Sequence, residues 1–188
     1  MEHLSDYVLN IKNYLSEDIC LEIIKSLDTI SFHRHTYHNP SNENVTHNGN
    51  EELWICHNKN ISISIIKRFS YAFRRYDMKI KSPYVNFSER TEKFWSEPRF
   101  NKYDVNTKMD EHVDHIHTLF DGKRKGIPIL TLLGFLNDDY EGGNFYLCGK
   151  KMEVSAGQLL IFPSNFLYPH RVDPIIDGTR YSWVSWIW

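Results

Sequence analysis

After Lys81 the sequence loses its helical period and does not recover it, so whatever the C-terminal hundred residues build must be built from strands. Past Pro98 the chain divides at Gly, Pro, Asn and Asp into short apolar stretches, at about 99–104, 112–114, 128–136, 143–148, 157–162, 168–172 and 179–187. Strands of that length, closely spaced and separated by turn residues, form an antiparallel sandwich or barrel. The N-terminal half reads differently. Tyr7–Ile11 suggests a short strand, and Ser16 caps a helix with Glu17 and Asp18 in its first turn and Ile19, Ile23, Ile24 and Leu27 as its stripe. A second helix is predicted from about Asn60 to Met78, its stripe running through Ile61, Ile65, Ile66, Phe69, Ala72, Phe73 and Tyr76.

Between these helices, Ser31 to Glu52 turns polar and aperiodic, and 36–52 is expected to be a substrate-side lid loop. Its histidines, His33, His35, His38 and His47, sit among turn residues and are expected in solvent. A length of 188 residues suits one domain, with 1–97 as mainly helical support and lid and 98–188 as the catalytic core. Twenty-two basic against 24 acidic side chains leave a net charge of −2, which argues against a nucleic-acid or membrane partner. With no apolar N-terminal signal and three widely spaced cysteines (Cys20, Cys56 and Cys148), the expectation is a soluble cytoplasmic protein.

Within the strand region, His112-Val113-Asp114 places an imidazole and a carboxylate two residues apart, on one face of a strand. His170 follows in Tyr168-Pro169-His170-Arg171-Val172, and Arg180 ten residues later in Gly178-Thr179-Arg180-Tyr181. Two imidazoles and one carboxylate on one face of an Fe(II) leave positions open for chemistry, and an Arg at fixed reach offers a fork for a carboxylate. His115-Ile116-His117 is a competing His-X-His pair, assigned here to the pocket rim or to solvent. Asp138, Asp139 and Glu141 read as a turn.

The run Tyr103-Asp104-Val105-Asn106-Thr107-Lys108-Met109-Asp110-Glu111-His112-Val113-Asp114 resembles the Fe(II)/2-oxoglutarate-dependent dioxygenases, in their prolyl 4-hydroxylase-like branch. Asn106 stands for the family glycine, which is tolerable because Asn accepts left-handed backbone. Leu136–Gly143, Gly157–Pro163 and the His170 to Tyr181 stretch extend the likeness from about Arg99 to Trp188. The resemblance implies a double-stranded β-helix, a jelly roll flanked by the N-terminal helices. It implies Fe(II) on His112, Asp114 and His170, with O₂ and 2-oxoglutarate as co-substrates, succinate and CO₂ as co-products, and ascorbate as an optional addition. Arg180 would hold the far carboxylate of 2-oxoglutarate, with Tyr103 touching the same molecule and Thr179 supporting it. Trp186 shares the face of Arg180 and is expected to pack near the iron. A turn at Asp173–Gly178 is expected to fold strand 168–172 back on 179–187, setting His170 opposite Arg180 in one hairpin.

The implied target is a peptide or protein substrate, most simply a peptidyl proline gripped by loops 36–52 and 115–127, with Lys123-Arg124-Lys125 nearby. Hydroxylation of a small molecule or nucleobase on the same scaffold stays open at this point, as does a cupin-like metal-binding module without turnover. In Leu133-Gly134-Phe135, a glycine stands at or near the place where relatives carry a tyrosine.

Overall fold

A computed structural model describes residues 3–38, 44–45, 51–89, 94–114 and 127–188. Ser16 Oγ accepts from the Ile19 amide and starts α1 (Glu17–Leu27), which buries Cys20, Ile23 and Leu27. The long second helix expected from the periodicity is instead two, α2 (Lys59–Ile66) and α3 (Phe69–Ile80). The break has a local cause. In an unbroken helix the Ser64 carbonyl would accept from the Arg68 amide, but here Nη1 of Arg68 donates to it at 2.6 Å. The Arg68 amide turns to Ile65 instead.

In chain order the strands are β1 (Leu9–Ile11), β2 (His33–Arg34), β3 (Tyr37–His38), β4 (Asn44–Val45), β5 (Trp54–His57), β6 (Arg99–Tyr103), β7 (Met109–His112) and β8 (Leu130–Phe135). There follow β9 (Glu141–Gly142), β10 (Phe145–Leu147), β11 (Lys150–Met152), β12 (Leu159–Pro163), β13 (His170–Val172), β14 (Ile175–Asp177) and β15 (Arg180–Ile187). A seven-stranded sheet runs β1-β12-β8-β15-β6-β5-β2, and a four-stranded sheet runs β11-β10-β13-β7. Every ladder in both is antiparallel. With the helices packed outside the larger sheet, this is the expected jelly roll.

Alternation on the central strands divides the apolar side chains into two cores. From β15, Trp183 and Ile187 join Phe69 and Phe73 of α3 on the helix side, while Val184 joins Leu133, Phe145 and Leu160 between the sheets. Both faces of β8 and β15 are therefore covered, which is why they read as continuous apolar runs. Gly134 sits where no side chain fits, since a Cβ there would lie 2.1 Å from the Trp183 indole. The glycine seats that ring on the helix side, and a larger residue in its place would point away from the pocket. Gly134→Ala should cost about 3 kcal/mol and lower Tm by roughly 6–12 °C; a melt within a degree of wild type would contradict this packing.

Two further sequence expectations fail. No hairpin joins β13 to β15, because β13 lies in the small sheet and β15 in the large one. The segment 173–178 carries β14, which pairs with β9, and crosses between the sheets. His35, expected in solvent, is 7% exposed, with its Nδ1 3.3 Å from the carboxylate of buried Glu52. Its amide bonds the Leu53 carbonyl, so the chain just past β2 is drawn in beside β5. Most of the lid expected at 36–52 and of the second grip at 115–127, including His115, His117 and Lys123–Lys125, lies outside the described residues. Among the described residues, no helix is long and apolar enough to cross a membrane.

Candidate metal centre

Asn106 has φ +68°, and its left-handed turn reverses the chain from β6 into β7. Its amide donates to Ile175, and Thr107 Oγ1 donates to the Asp104 carbonyl, so both sides of the turn are tied down. β7 ends at His112, so Asp114 lies past the strand and strand alternation is not what pairs the two. His170, opposite His112 in the β13–β7 ladder, brings the third group. The ligand atoms of His112, Asp114 and His170 all lie within 4.8 Å of one another, and among the described residues this is the sole cluster of that kind. Nε2 of His112 is 3.8 Å from one Asp114 oxygen, and Nε2 of His170 is 3.7 Å from the other.

Each imidazole is held by its other nitrogen, His112 Nδ1 at 2.8 Å from the Asp110 carbonyl and His170 Nδ1 at 3.1 Å from that of Tyr168. As donors to those carbonyls, the Nδ1 atoms leave the Nε2 lone pairs aimed at one point, as a metal requires. Burial above all, with the neighbouring His170 adding to it, pushes the His112 pKa down to about 4, which keeps that ligand neutral at neutral pH. Burial of Asp114 works against its carboxylate. His170, His112, Thr131 and Trp186 together outweigh it and hold the group below the usual carboxylate range. Thr131 Oγ1 donates to Asp114 Oδ2 at 2.6 Å and lies 2.7 Å from Ser164 Oγ. Thr131→Val should therefore weaken Fe(II) binding by about 10- to 100-fold with the fold intact; unchanged affinity in an anaerobic titration would remove Thr131 from the site.

Arg180 lies deeper in the same cleft, 1% exposed and opposite Tyr103 in the β15–β6 ladder. Its guanidinium stands 4.7 Å over the Tyr103 ring and 5.4 Å over that of Phe135, and Nη1 reaches Ser182 Oγ at 3.5 Å. Nε and Nη2 are buried and, among the described residues, meet no acceptor at hydrogen-bonding geometry. A permanently charged group so placed is costly unless an anion meets it, and a carboxylate would satisfy both nitrogens at once. Tyr103 is buried, which pushes its phenol up, while Arg180 draws it the other way.

The cleft spans about 390 Å³ counted to its open mouth, and its walls carry Arg99, Asn101, Tyr103, the triad, Thr131, Leu133, Phe145 and Arg180. Thr179 stands outside it, its carbonyl accepting from Asn137. Trp186 is set against Asp114 from the flank. Its indole N–H is buried short of full hydrogen-bond geometry yet close enough to favour the carboxylate. Thr131, Asn101 and Arg99 escaped the sequence reading; period-two alternation along β6 from Tyr103 is the signal that reaches Asn101 and Arg99.

Residues 98–188 match the family described as the 2OG-Fe(II) oxygenase superfamily. A PKHD-type hydroxylase of Psychrobacter sp. (strain PRwf-1) is 33% identical over 97 residues, which is 48% of this chain and 37% of that protein. One of Synechococcus elongatus is 33% identical over 94 residues, 47% and 41% of the two chains. The chain thus spans about two-fifths of the length of these hydroxylases. Among solved structures, a prolyl hydroxylase from Trichoplax adhaerens, bound to a hypoxia inducible factor peptide fragment, superposes with a TM-score of 0.67 at 18% identity, covering 98% of this chain and 84% of that one. The viral collagen prolyl hydroxylase of Paramecium Bursaria Chlorella virus-1 gives 0.63 at 14% identity, covering 96% and 94%. At such identities the likeness shows the fold, a double-stranded β-helix.

Proposed function

We infer that the chain, whose residues 98–188 match the 2OG-Fe(II) oxygenase superfamily, is a 2-oxoglutarate-dependent hydroxylase of a peptidyl side chain, with proline as the target. The observation that carries the reaction class is the pairing, in one cleft, of a His-Asp-His cluster with a buried guanidinium that meets no anion among the described residues. His112, Asp114 and His170 would hold Fe(II), two neutral nitrogens and one carboxylate being the donor set that suits it. Bound there, the metal would supply the oxidising chemistry that couples loss of CO₂ from 2-oxoglutarate to hydroxylation of a C–H bond, leaving succinate.

This chain's own residues do the rest. Arg180 meets the far carboxylate of the co-substrate, and the Tyr103 phenol, kept neutral by burial, lies beside it as a donor. Leu133, Phe145 and Val184 line the span between and exclude water. Thr131 and Trp186 hold Asp114 ionised and oriented. Thr179, outside the cleft, would act only through the turn that its carbonyl ties to Asn137.

The target rests on likeness, since both the PKHD-type relatives and the solved neighbours are named as hydroxylases, the latter of prolyl residues. The helical part and the sandwich act as one unit in this reading. The three free cysteines suit a reducing, cytoplasmic compartment. The test begins with the visible spectrum of anaerobic protein and Fe(II), before and after 2-oxoglutarate. A weak charge-transfer band that needs both is expected. The same sample, given O₂, proline peptides and ascorbate as added reductant, should yield succinate and a product heavier by one oxygen atom. Iron binding without the band would refute the co-substrate assignment, and succinate without oxygenated peptide across acidic and Pro-rich sequences would refute the prolyl target.

A further inference from the structure

Behind the carboxylate of the triad stands a second hydroxyl that the proposed reaction does not use. Ser164 directly follows β12 and is 1% exposed, and its amide donates to the Ile129 carbonyl at 3.0 Å. Its Oγ lies 2.7 Å from Thr131 Oγ1, which lies 2.6 Å from Asp114 Oδ2. Between two hydroxyls either can donate, but here the carboxylate removes that freedom. An ionised carboxylate only accepts, so the single Thr131 proton is spent on Asp114. The Thr131 oxygen then meets Ser164 as an acceptor, and Ser164 is the donor. The protons all point one way, from Ser164 through Thr131 to Asp114.

Asp114 needs such support. It stands past the end of β7 and takes no part in the β13–β7 ladder, so strand pairing does not fix it. Thr131 and Ser164 are fixed, the first within β8 and the second by its own amide just beyond the rung that pairs Phe162 with Thr131. Ser164 also leads into the turn that the Tyr168 amide closes on the Asn165 carbonyl, and the Tyr168 carbonyl holds Nδ1 of His170. Two hydroxyls thereby tie the carboxylate of the triad to the stretch that delivers its third member. A hydroxyl that accepts a hydrogen bond donates a stronger one, and burial preserves the gain.

We propose that Ser164 is a positioning residue of the metal centre, which acts through Thr131 alone to hold the Asp114 carboxylate for the ion. The proposal rests on the iron assignment within the hydroxylase reading above and is independent of the substrate.

A series arrangement predicts strict non-additivity, and metal titration reads it. Wild type, Ser164→Ala, Thr131→Val and the double variant are titrated anaerobically with Fe(II), and with Co(II), whose visible bands report the ligand geometry. Ser164→Ala should weaken both metals about 3- to 10-fold, the scale of one hydrogen bond, and should shift the Co(II) bands. In the Thr131→Val background the same change should cost less than about twofold further, because the chain is already cut. A packing defect at Ser164 would instead weaken both backgrounds alike. Ser164→Cys, close in size and a weak donor, should fall between serine and alanine, and it carries the test in both backgrounds if the alanine variant does not fold. Wild-type affinity after loss of the hydroxyl, or an equal loss in the two backgrounds, would overturn the proposal. A wild type that takes up neither metal would overturn the iron assignment itself, so the two failures are told apart.

Discussion

Asp114→Ala should abolish tight Fe(II) binding and, with it, the charge-transfer band that 2-oxoglutarate produces. The carboxylate is the sole anionic member of the cluster, and it lies between two imidazoles 3.7 and 3.8 Å away. Without it, two neutral nitrogens face a dication in a buried site with no compensating charge. The effect should exceed the roughly 100-fold that removal of an outer partner such as Thr131 produces. The fold should survive, because the sheets are held by β8, β12 and β15 and not by the metal site, and circular dichroism would check this. Retention of the band by the variant would show that another carboxylate carries the iron. The rival pair at His115 and His117 would then gain ground.

Arg180→Met should produce two effects of opposite sign. Affinity for 2-oxoglutarate should fall by a factor of roughly 30 to several thousand, the equivalent of about 2–5 kcal/mol for an unpaired buried charge contact. The melting temperature of the protein without ligands should stay level or rise. In the wild type a desolvated guanidinium faces two aromatic rings and one long hydroxyl contact, and these repay only part of its desolvation. Methionine fills a similar space without that penalty. The stabilisation that 2-oxoglutarate confers on wild type should vanish in the variant. A marked drop in Tm with co-substrate affinity preserved would make Arg180 a structural residue and leave the anion clamp unassigned.

The sequence is informative where a constraint is local. His112 and Asp114 lie two residues apart, and the turn before them needs a residue that tolerates positive φ, which Asn106 supplies. The strand series past Pro98 announces itself through its turn residues. What escapes the sequence is decided between segments. The 173–178 stretch has the composition of a hairpin turn, but only the pairing of β14 with β9 reveals that it crosses between sheets. The helix break at Lys67-Arg68 depends on one side chain competing for the Ser64 carbonyl, which leaves the apolar period untouched. His35 has the surroundings of a solvated loop histidine until Glu52 is folded beside it. Thr131 reads as one more residue of an apolar strand, and nothing local shows that its hydroxyl meets a carboxylate from 17 positions earlier.

Because the chain crosses from one sheet to the other between His170 and Arg180, the two residues stand on opposite walls of the sandwich. Facing sheets keep a spacing of about 10 Å that interlocked cores do not let vary. If His170 holds the metal and Arg180 the far carboxylate, the distance between them would be set by two packed sheets and not by a loop. On that reading the cleft would act as a calliper for one chain length of dicarboxylate, and an oxo-diacid shorter or longer by one carbon should bind more weakly than 2-oxoglutarate.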